Sequence, residues 1–386
     1  MNLGIIGYGD RIRHVASEIM KEDPGCKITA VTDIRLGELR EQFRERGRED
    51  VSFYTSADEM LDNERLDGVL IGTRCSLHTP MALKVLSRNL PLYLEKPVAT
   101  TMEDLLTLKQ GYEASRSPVA VSFPLRVTSI VNMVREIIDS GKIGTVEHVQ
   151  AVNNVPYGAV YYQNWYRDEA ETGGLFLQKA THDFDYINSV LRLAPTDVAA
   201  MTSKQIFKGT KPAGLKCADC EEKRTCPDST AFPSKDIPET WEYCVYAEDT
   251  GNEDSGSALI RYESGMHVSY SQNFFARRAA ASRGARFLGY KGTVEFDFYT
   301  SQVKVFMHHT PRVETYEIGA GDNHFGGDSA LAANFAGIMR GAAAPVATMD
   351  DGLLSALMCV QARESAASGT FRPVRYDTPA ECTPKR

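Results

Sequence analysis

The sequence predicts an α/β chain in two parts: a parallel sheet wound with helices, then a C-terminal α/β domain on a large, open, mostly antiparallel sheet. Three observations predict it. From residue 3 to residue 123, short apolar runs alternate with segments of helical period, as βαβ units of a parallel sheet require. Beyond Arg126 extended runs separated by Gly and Asp turns dominate, the mark of antiparallel pairing. The 386 residues also exceed what one hydrophobic core usually supports.

The elements follow in order. An apolar run at 3–6 ends at Gly7, and apolar residues recur at helical spacing over 14–20. A second strand at 28–32 ends at Asp33, and 40–46 reads as an exposed helix. Strands at 51–54, 68–72, 92–94 and 119–123 then alternate with helices at 57–63, 80–88 and 102–113. Six strands complete a Rossmann sheet, which places the first domain at 1–123 and the second at 124–386. The second opens with a helix at 130–140 and a glycine turn at 141–144. Its strands are expected at 146–152, 198–205, 257–262, 267–272, 285–289, 292–297 and 302–306, and its helices at 181–191, 328–340 and 352–368.

Composition narrows the partners. A formal net charge of -8 argues against a general affinity for nucleic acid or anionic membranes. No stretch approaches the roughly 18 apolar residues of a membrane span, and the first residues read as a strand rather than a signal peptide. A cytoplasmic location is expected.

Gly7-Tyr8-Gly9-Asp10-Arg11-Ile12 stands where the first strand hands over to a helix. The first glycine permits a tight turn, and the second lets backbone N–H groups approach a pyrophosphate at the helix N-terminus. The third glycine of that fingerprint is replaced by Ile12. Asp33 follows Gly9 by 24 residues, near the interval of the carboxylate that accepts ribose hydroxyls. It favours NAD over NADP, although Arg35 offers a partner for a 2′-phosphate. Further on, a strand ends in Glu95-Lys96-Pro97, at the edge where open α/β sheets bind ligands. A lysine there can donate to a hydroxyl oxygen, and burial lowers its pKa readily. On spacing alone a surface turn stiffened by proline is the better reading.

The order of motifs changes that weighing. Glu95-Lys96-Pro97 downstream of Gly-x-Gly resembles the Gfo/Idh/MocA family of glucose-fructose oxidoreductases and inositol dehydrogenases. So do Ser140-Gly141-Lys142-Ile143-Gly144, Gly173-Gly174 leading to His182-Asp183-Phe184-Asp185, Gly326-Gly327-Asp328, Asp351-Gly352-Leu353, and the stretch from Glu364 to Gly369. The resemblance implies a sugar or cyclitol pocket between the two domains, hydride exchange between a ring carbon and nicotinamide, and a homo-oligomer, dimer or tetramer. It implies that Lys96 touches the reacting oxygen and that His182 binds or relays a proton. The candidate NAD contacts are Gly7, Gly9, Asp10, Arg11, Ile12, Asp33, Ile34, Arg35, Thr73, His78, Glu95 and Lys96. Family dehydrogenases often carry an aspartate four residues before the histidine; here Gln178 stands there, with Lys179 beside it as a substitute. The stretch is similar to a family branch with a lysine three residues before the histidine. On a helix Lys179, His182 and Asp183 share a face, so Lys96, Lys179 and His182 are expected around the oxidised hydroxyl. Arg126, Trp165, Gln178 and Asp183 are candidate substrate contacts.

Cys217, Cys220, Cys226 and Cys244 cluster in a loop at about 208–244. Four thiolates suit a structural zinc stapling an insertion that lacks its own core, with two disulfides or four unrelated thiols as alternatives. Function is expected to be NAD-dependent oxidation of a secondary hydroxyl on a sugar, glycoside or cyclitol. A second route uses nearly the same residues: an NAD-dependent glycoside hydrolase working by transient oxidation, elimination, water addition and re-reduction. A nucleotide sensor is a third reading, disfavoured by the presence of both Lys96 and His182.

Overall fold

The computed structural model describes residues 1–232, 238, 240–319 and 323–376. Its first sheet is parallel and contains β1 (Asn2–Ile6), β2 (Lys27–Thr32), β3 (Ser52–Tyr54), β4 (Gly68–Ile71), β5 (Leu92–Leu94) and β6 (Val119–Val121), in spatial order β3-β2-β1-β4-β5-β6. That order reverses direction between β1 and β4, which opens a crevice at their carboxyl ends. The intervening helices are α1 (Asp10–Glu22), α2 (Leu36–Glu45), α3 (Ala57–Asn63), α4 (His78–Leu86) and α5 (Met102–Glu113). α1 and α2 begin four residues earlier than expected, and the added turns contribute the buried Ile12 and Leu39 to the core. Side-chain caps fix other starts: Ser56 accepts from the Glu59 amide at α3, and Thr101 from the Asp104 amide at α5.

The second sheet has nine strands: β7 (Val146–Asn154), β8 (Pro195–Ser203), β9 (Ser255–Tyr262), β10 (His267–Asn273), β11 (Ser282–Gly289), β12 (Gly292–Asp297), β13 (Gln302–Met307), β14 (Val313–Glu317) and β15 (Arg372–Pro373). Their order is β14-β13-β12-β11-β7-β10-β9-β8-β15, antiparallel except where β10 runs parallel to β7. β14 and β15 are edge strands missing from the expected set; β14 is largely exposed and β15 has two residues, so neither shows a buried alternation. Helices α6 (Ser129–Asp139), α7 (Val160–Gln163), α8 (Glu169–Thr172), α9 (Thr181–Leu191), α10 (Gly327–Met339) and α11 (Met349–Ser368) complete the chain.

α6, α9 and α11 pack against the nine-stranded sheet or each other, while α10 lies on α1 and α11 reaches β6 and α5. The last two helices thus return to the first sheet, and one continuous core joins both. Two glycines make room for this packing. A Cβ on Gly68 would lie 2.5 Å from Met339 Sδ on α10, and one on Gly72 would lie 1.9 Å from Ile12 Cγ1 on α1. Gly72 therefore accounts for Ile12: the close helix–sheet approach that a third fingerprint glycine normally allows is provided from the strand side.

The long excursion between β8 and β9 does have a core. Phe207 and Val245 are buried with Val155, Val160, Tyr162, Leu175 and Phe274 in a second small cluster. The expected zinc staple finds no support. Cys217, Cys220, Cys226 and Cys244 are free thiols, and no group of three or more His, Cys, Asp or Glu among the described residues is placed to hold a metal ion. Apolar burial and backbone bonds such as Cys217 N to Glu242 O (2.7 Å) and Cys244 N to Leu215 O (2.8 Å) hold the excursion instead.

Candidate active site

At the crevice, Gly7 adopts φ 82°, and a Cβ there would lie 2.9 Å from the Gly72 carbonyl. Gly9 caps α1 with no side-chain hydrogen bond, which leaves the first-turn N–H groups of Asp10, Arg11 and Ile12 for an anion. At the end of β2, Asp33 accepts from the Tyr8 amide (2.7 Å) and the Arg35 amide (2.9 Å). Burial would raise its carboxyl, but Arg35 and those amides outweigh burial and hold it below the ordinary carboxylate range. Arg35 stays on Asp33 through Nε at 3.2 Å. Ile34, 96% exposed beside this carboxylate, is free to cover a flat ring. A glycine cradle, an uncapped helix start and an ionised carboxylate at the strand end together fit a dinucleotide.

Other expected contacts are engaged within the protein. Arg11 pairs with Glu95 (2.8 Å) and bidentately with Asp328 (2.7 Å to each oxygen), so its backbone, not its guanidinium, faces the crevice as a donor. Glu95 also accepts from Ser122 Oγ (2.8 Å). His78 bonds the Pro97 carbonyl through Nδ1 (2.7 Å) and thereby holds the turn after Lys96; Thr73 Oγ1 bonds the neighbouring Arg74 carbonyl (3.1 Å).

Lys96 donates from Nζ to the Gln178 carbonyl (3.0 Å). Burial, then the charge of Lys179, lowers its pKa to about 8. Phe176–Ala180 forms a π turn running into α9, and it redirects the residues expected on one helix face. Lys179 donates to Tyr157 Oη (2.8 Å). His182 lies against Phe123 and His324, with ring centroids 6.0 and 6.1 Å away. Its Nδ1 is buried without a partner among the described residues, and burial followed by the charges of Lys96 and Arg283 holds it well below the ordinary histidine value. The imidazole is therefore neutral at pH 7.

Three expected substrate contacts are bonded to other residues of the protein. Asp183 is fully buried and turned away from Lys179, accepting from Asn153 (2.7 Å), Tyr270 (2.8 Å) and Arg283 (2.8 Å). Arg126 forks onto Asp185 (3.0 and 2.8 Å) and reaches Asp351 (2.7 Å), so it clamps α9 to α11. Gln178 spends its side-chain amide on Cys75 Sγ (3.1 Å) and the Thr172 carbonyl (3.2 Å). Trp165 fits better: it is half-buried, stacked on Tyr166 at 3.9 Å, with the Arg74 guanidinium 3.9 Å from its ring.

Tyr157, Arg283 and His324 are the residues that sequence reasoning missed. Arg283 shares an inward face of β11 with Ala285 and Phe287, and that alternation was the available signal. His324 and Phe325 take left-handed backbone conformations (φ 48° and 57°), a costly choice for side-chain-bearing residues. No local pattern marks either.

Comparison with known proteins agrees with this geometry. Residues 1–123 match an oxidoreductase family with an NAD-binding Rossmann fold, and residues 131–295 match the GFO/IDH/MocA C-terminal domain. YteT of Bacillus subtilis (strain 168) is 28% identical over 247 residues, covering 57% of this chain and 58% of that protein. The scyllo-inositol 2-dehydrogenase (NAD(+)) of the same organism is 25% identical over 207 residues, covering 52% and 55%. These matches span little more than half the length of those relatives. A levoglucosan dehydrogenase structure, solved with NADH and levoglucosan, superposes with TM-score 0.77 at 18% identity over 97% of this chain and 99% of that one. With both halves matched in order, and Lys96 set at the crevice they enclose, the chain belongs to the Gfo/Idh/MocA family.

Proposed function

We propose that the protein is an NAD-dependent oxidoreductase acting on a secondary hydroxyl of a sugar, glycoside or cyclitol. One observation supports this reading: Lys96, just after β5, is near enough to Lys179 for that charge to lower its pKa, and both lysines act likewise on buried His182, whose Nδ1 has no hydrogen-bond partner among the described residues. The names of the relatives above support the substrate class. The first turn of α1 would hold the pyrophosphate, and Asp33 the ribose hydroxyls. Bound NAD supplies a hydride acceptor. Lys96 donates a hydrogen bond to the reacting oxygen, and neutral His182 holds a hydroxyl through Nδ1.

The test is incubation with NAD and a panel of sugars, cyclitols and aryl glycosides, following NADH absorbance and aglycone release separately. NADH is expected to accumulate with at least one polyol, and Lys96→Ala to lower that rate by about 10²–10⁴-fold. Aglycone release without NADH would replace the reading with the hydrolase route, and neither signal would reject both.

A further inference from the structure

Lys96 and Lys179 are two lysines crowded into one pocket, and among the described residues neither ammonium is ion-paired with a carboxylate. Arg283 adds a third cation, partly neutralised by Asp183, and its Nη2 is buried with no partner among the described residues. Unpaired buried charge is costly, so an anion is expected where these groups converge.

The side chain placed there is Tyr157. It sits in the turn after β7, where Val155 N bonds the Asn273 carbonyl (2.9 Å) and a Cβ on Gly158 would lie 2.0 Å from the Phe274 carbonyl. The turn is therefore pressed onto the end of β10 and cannot drift. Lys179 donates to the Tyr157 oxygen at 2.8 Å and also lies 5.1 Å from the Tyr161 ring centroid. Tyr157 is 46% exposed, whereas the neighbouring Tyr161 is 8% exposed. Of these two, Tyr157 is the one that both bonds Lys179 and reaches solvent.

We propose that Tyr157 is the proton acceptor of this site in the oxidative direction, held as a phenolate by Lys179. The inference rests on the oxidoreductase reading above. The substrate O–H bond breaks and its proton forms the O–H bond of Tyr157. The electron pair left on oxygen forms the carbonyl as the carbon-bound hydrogen leaves with two electrons to the nicotinamide, so the alcohol is oxidised and NAD reduced. The exposed edge of Tyr157 then returns the proton to water. Lys179 becomes a positioning residue that acts through Tyr157 rather than a base in its own right.

The surrounding charges favour this assignment. Burial alone would raise the Tyr157 phenol, but Lys179, Arg283 and Lys96 outweigh it and hold the phenol below the ordinary tyrosine value. Tyr161 and Tyr299, the other phenols facing it, are pushed up, burial being the largest cause for each.

The test begins with a pH titration of tyrosinate absorbance on the cofactor-free chain, which needs no substrate. One of the 17 tyrosines is expected to ionise ahead of the rest. Tyr157→Phe removes that phase, and Lys179→Met moves it up into the main transition. In turnover, Tyr157→Phe lowers kcat by about 10²–10⁴-fold and abolishes the ascending limb of the kcat/KM pH profile, while NADH binding measured by fluorescence is unchanged. An early phase that persists in Tyr157→Phe, no early phase in the wild type, or undiminished kcat in Tyr157→Phe overturns the proposal. If no polyol is oxidised by the wild type, the oxidoreductase reading fails, and the titration still judges the Tyr157–Lys179 pair separately.

Discussion

Lys96 shows what a single side chain can report. Its ammonium is lowered to about 8 by burial and by Lys179, so it should react with amine-directed reagents well below the pH at which surface lysines do. Peptide mass spectrometry after brief acylation across a pH series is expected to give a midpoint near that value for Lys96. Lys179→Met, which removes the neighbouring like charge, should shift the midpoint upward. Residue-scale chemistry of this kind was legible in the sequence where a local backbone signature marks the place: Gly7, Gly9, Asp33 and Lys96 all close or follow a strand of the first sheet. It was illegible where the partner decides the role. Arg126 and Asp183 read as polar residues near a pocket, but Asp185, Asp351 and Arg283, distant or ambiguous in sequence, take up their bonds. Tyr157 gains its meaning from Lys179, 22 residues on, and nothing in the intervening sequence joins the two.

Among elements, the contact between α1 and β4 is the most instructive. The helix follows a fingerprint with isoleucine where glycine is usual, and Gly72 accepts the intruding side chain. Gly72→Ala should therefore destabilise the protein by about 1–3 kcal/mol through overpacking, read as a lower denaturation midpoint. Adding Ile12→Ala should make the double variant more stable than the sum of the two single effects, because the new methyl then occupies the vacated space. Additive effects would show that the two residues do not share that space. The longer helices and most strands were readable from apolar period alone, including α3, α5, α9, β5 and β12 to the residue, whereas the four-residue α7 and α8 were not. The π turn at Phe176–Ala180 was not, since its sequence has the same period as an ordinary helix and only the packing of a buried segment selects the wider turn. That one departure separates Asp183 from the pocket and leaves Lys179 facing Tyr157.

The molecule as a whole is joined by a few buried charges. Asp328, at the start of α10, accepts from Arg11 on α1 and from His324 Nδ1 (2.9 Å). Burial would raise its carboxyl, but these partners hold it below the ordinary 3.8. Because the folded value is the lower one, the unfolded chain takes up the proton first as pH falls. The stabilisation is therefore complete above the ordinary carboxylate value and is lost below it. Scanning calorimetry from neutrality to roughly pH 3 should show the melting temperature of the wild type falling more steeply than that of Asp328→Asn. Equal slopes would remove Asp328 from the account. The position of Arg11 has a wider effect. The turn whose amides await an anion is also the turn bolted to a helix from the other end of the chain. By reciprocity, a ligand gripping that turn and a helix gripping Arg11 lend each other strength. Whatever a ligand in the crevice adds to the cohesion of the two sheets, that cohesion returns in equal measure to the ligand's affinity.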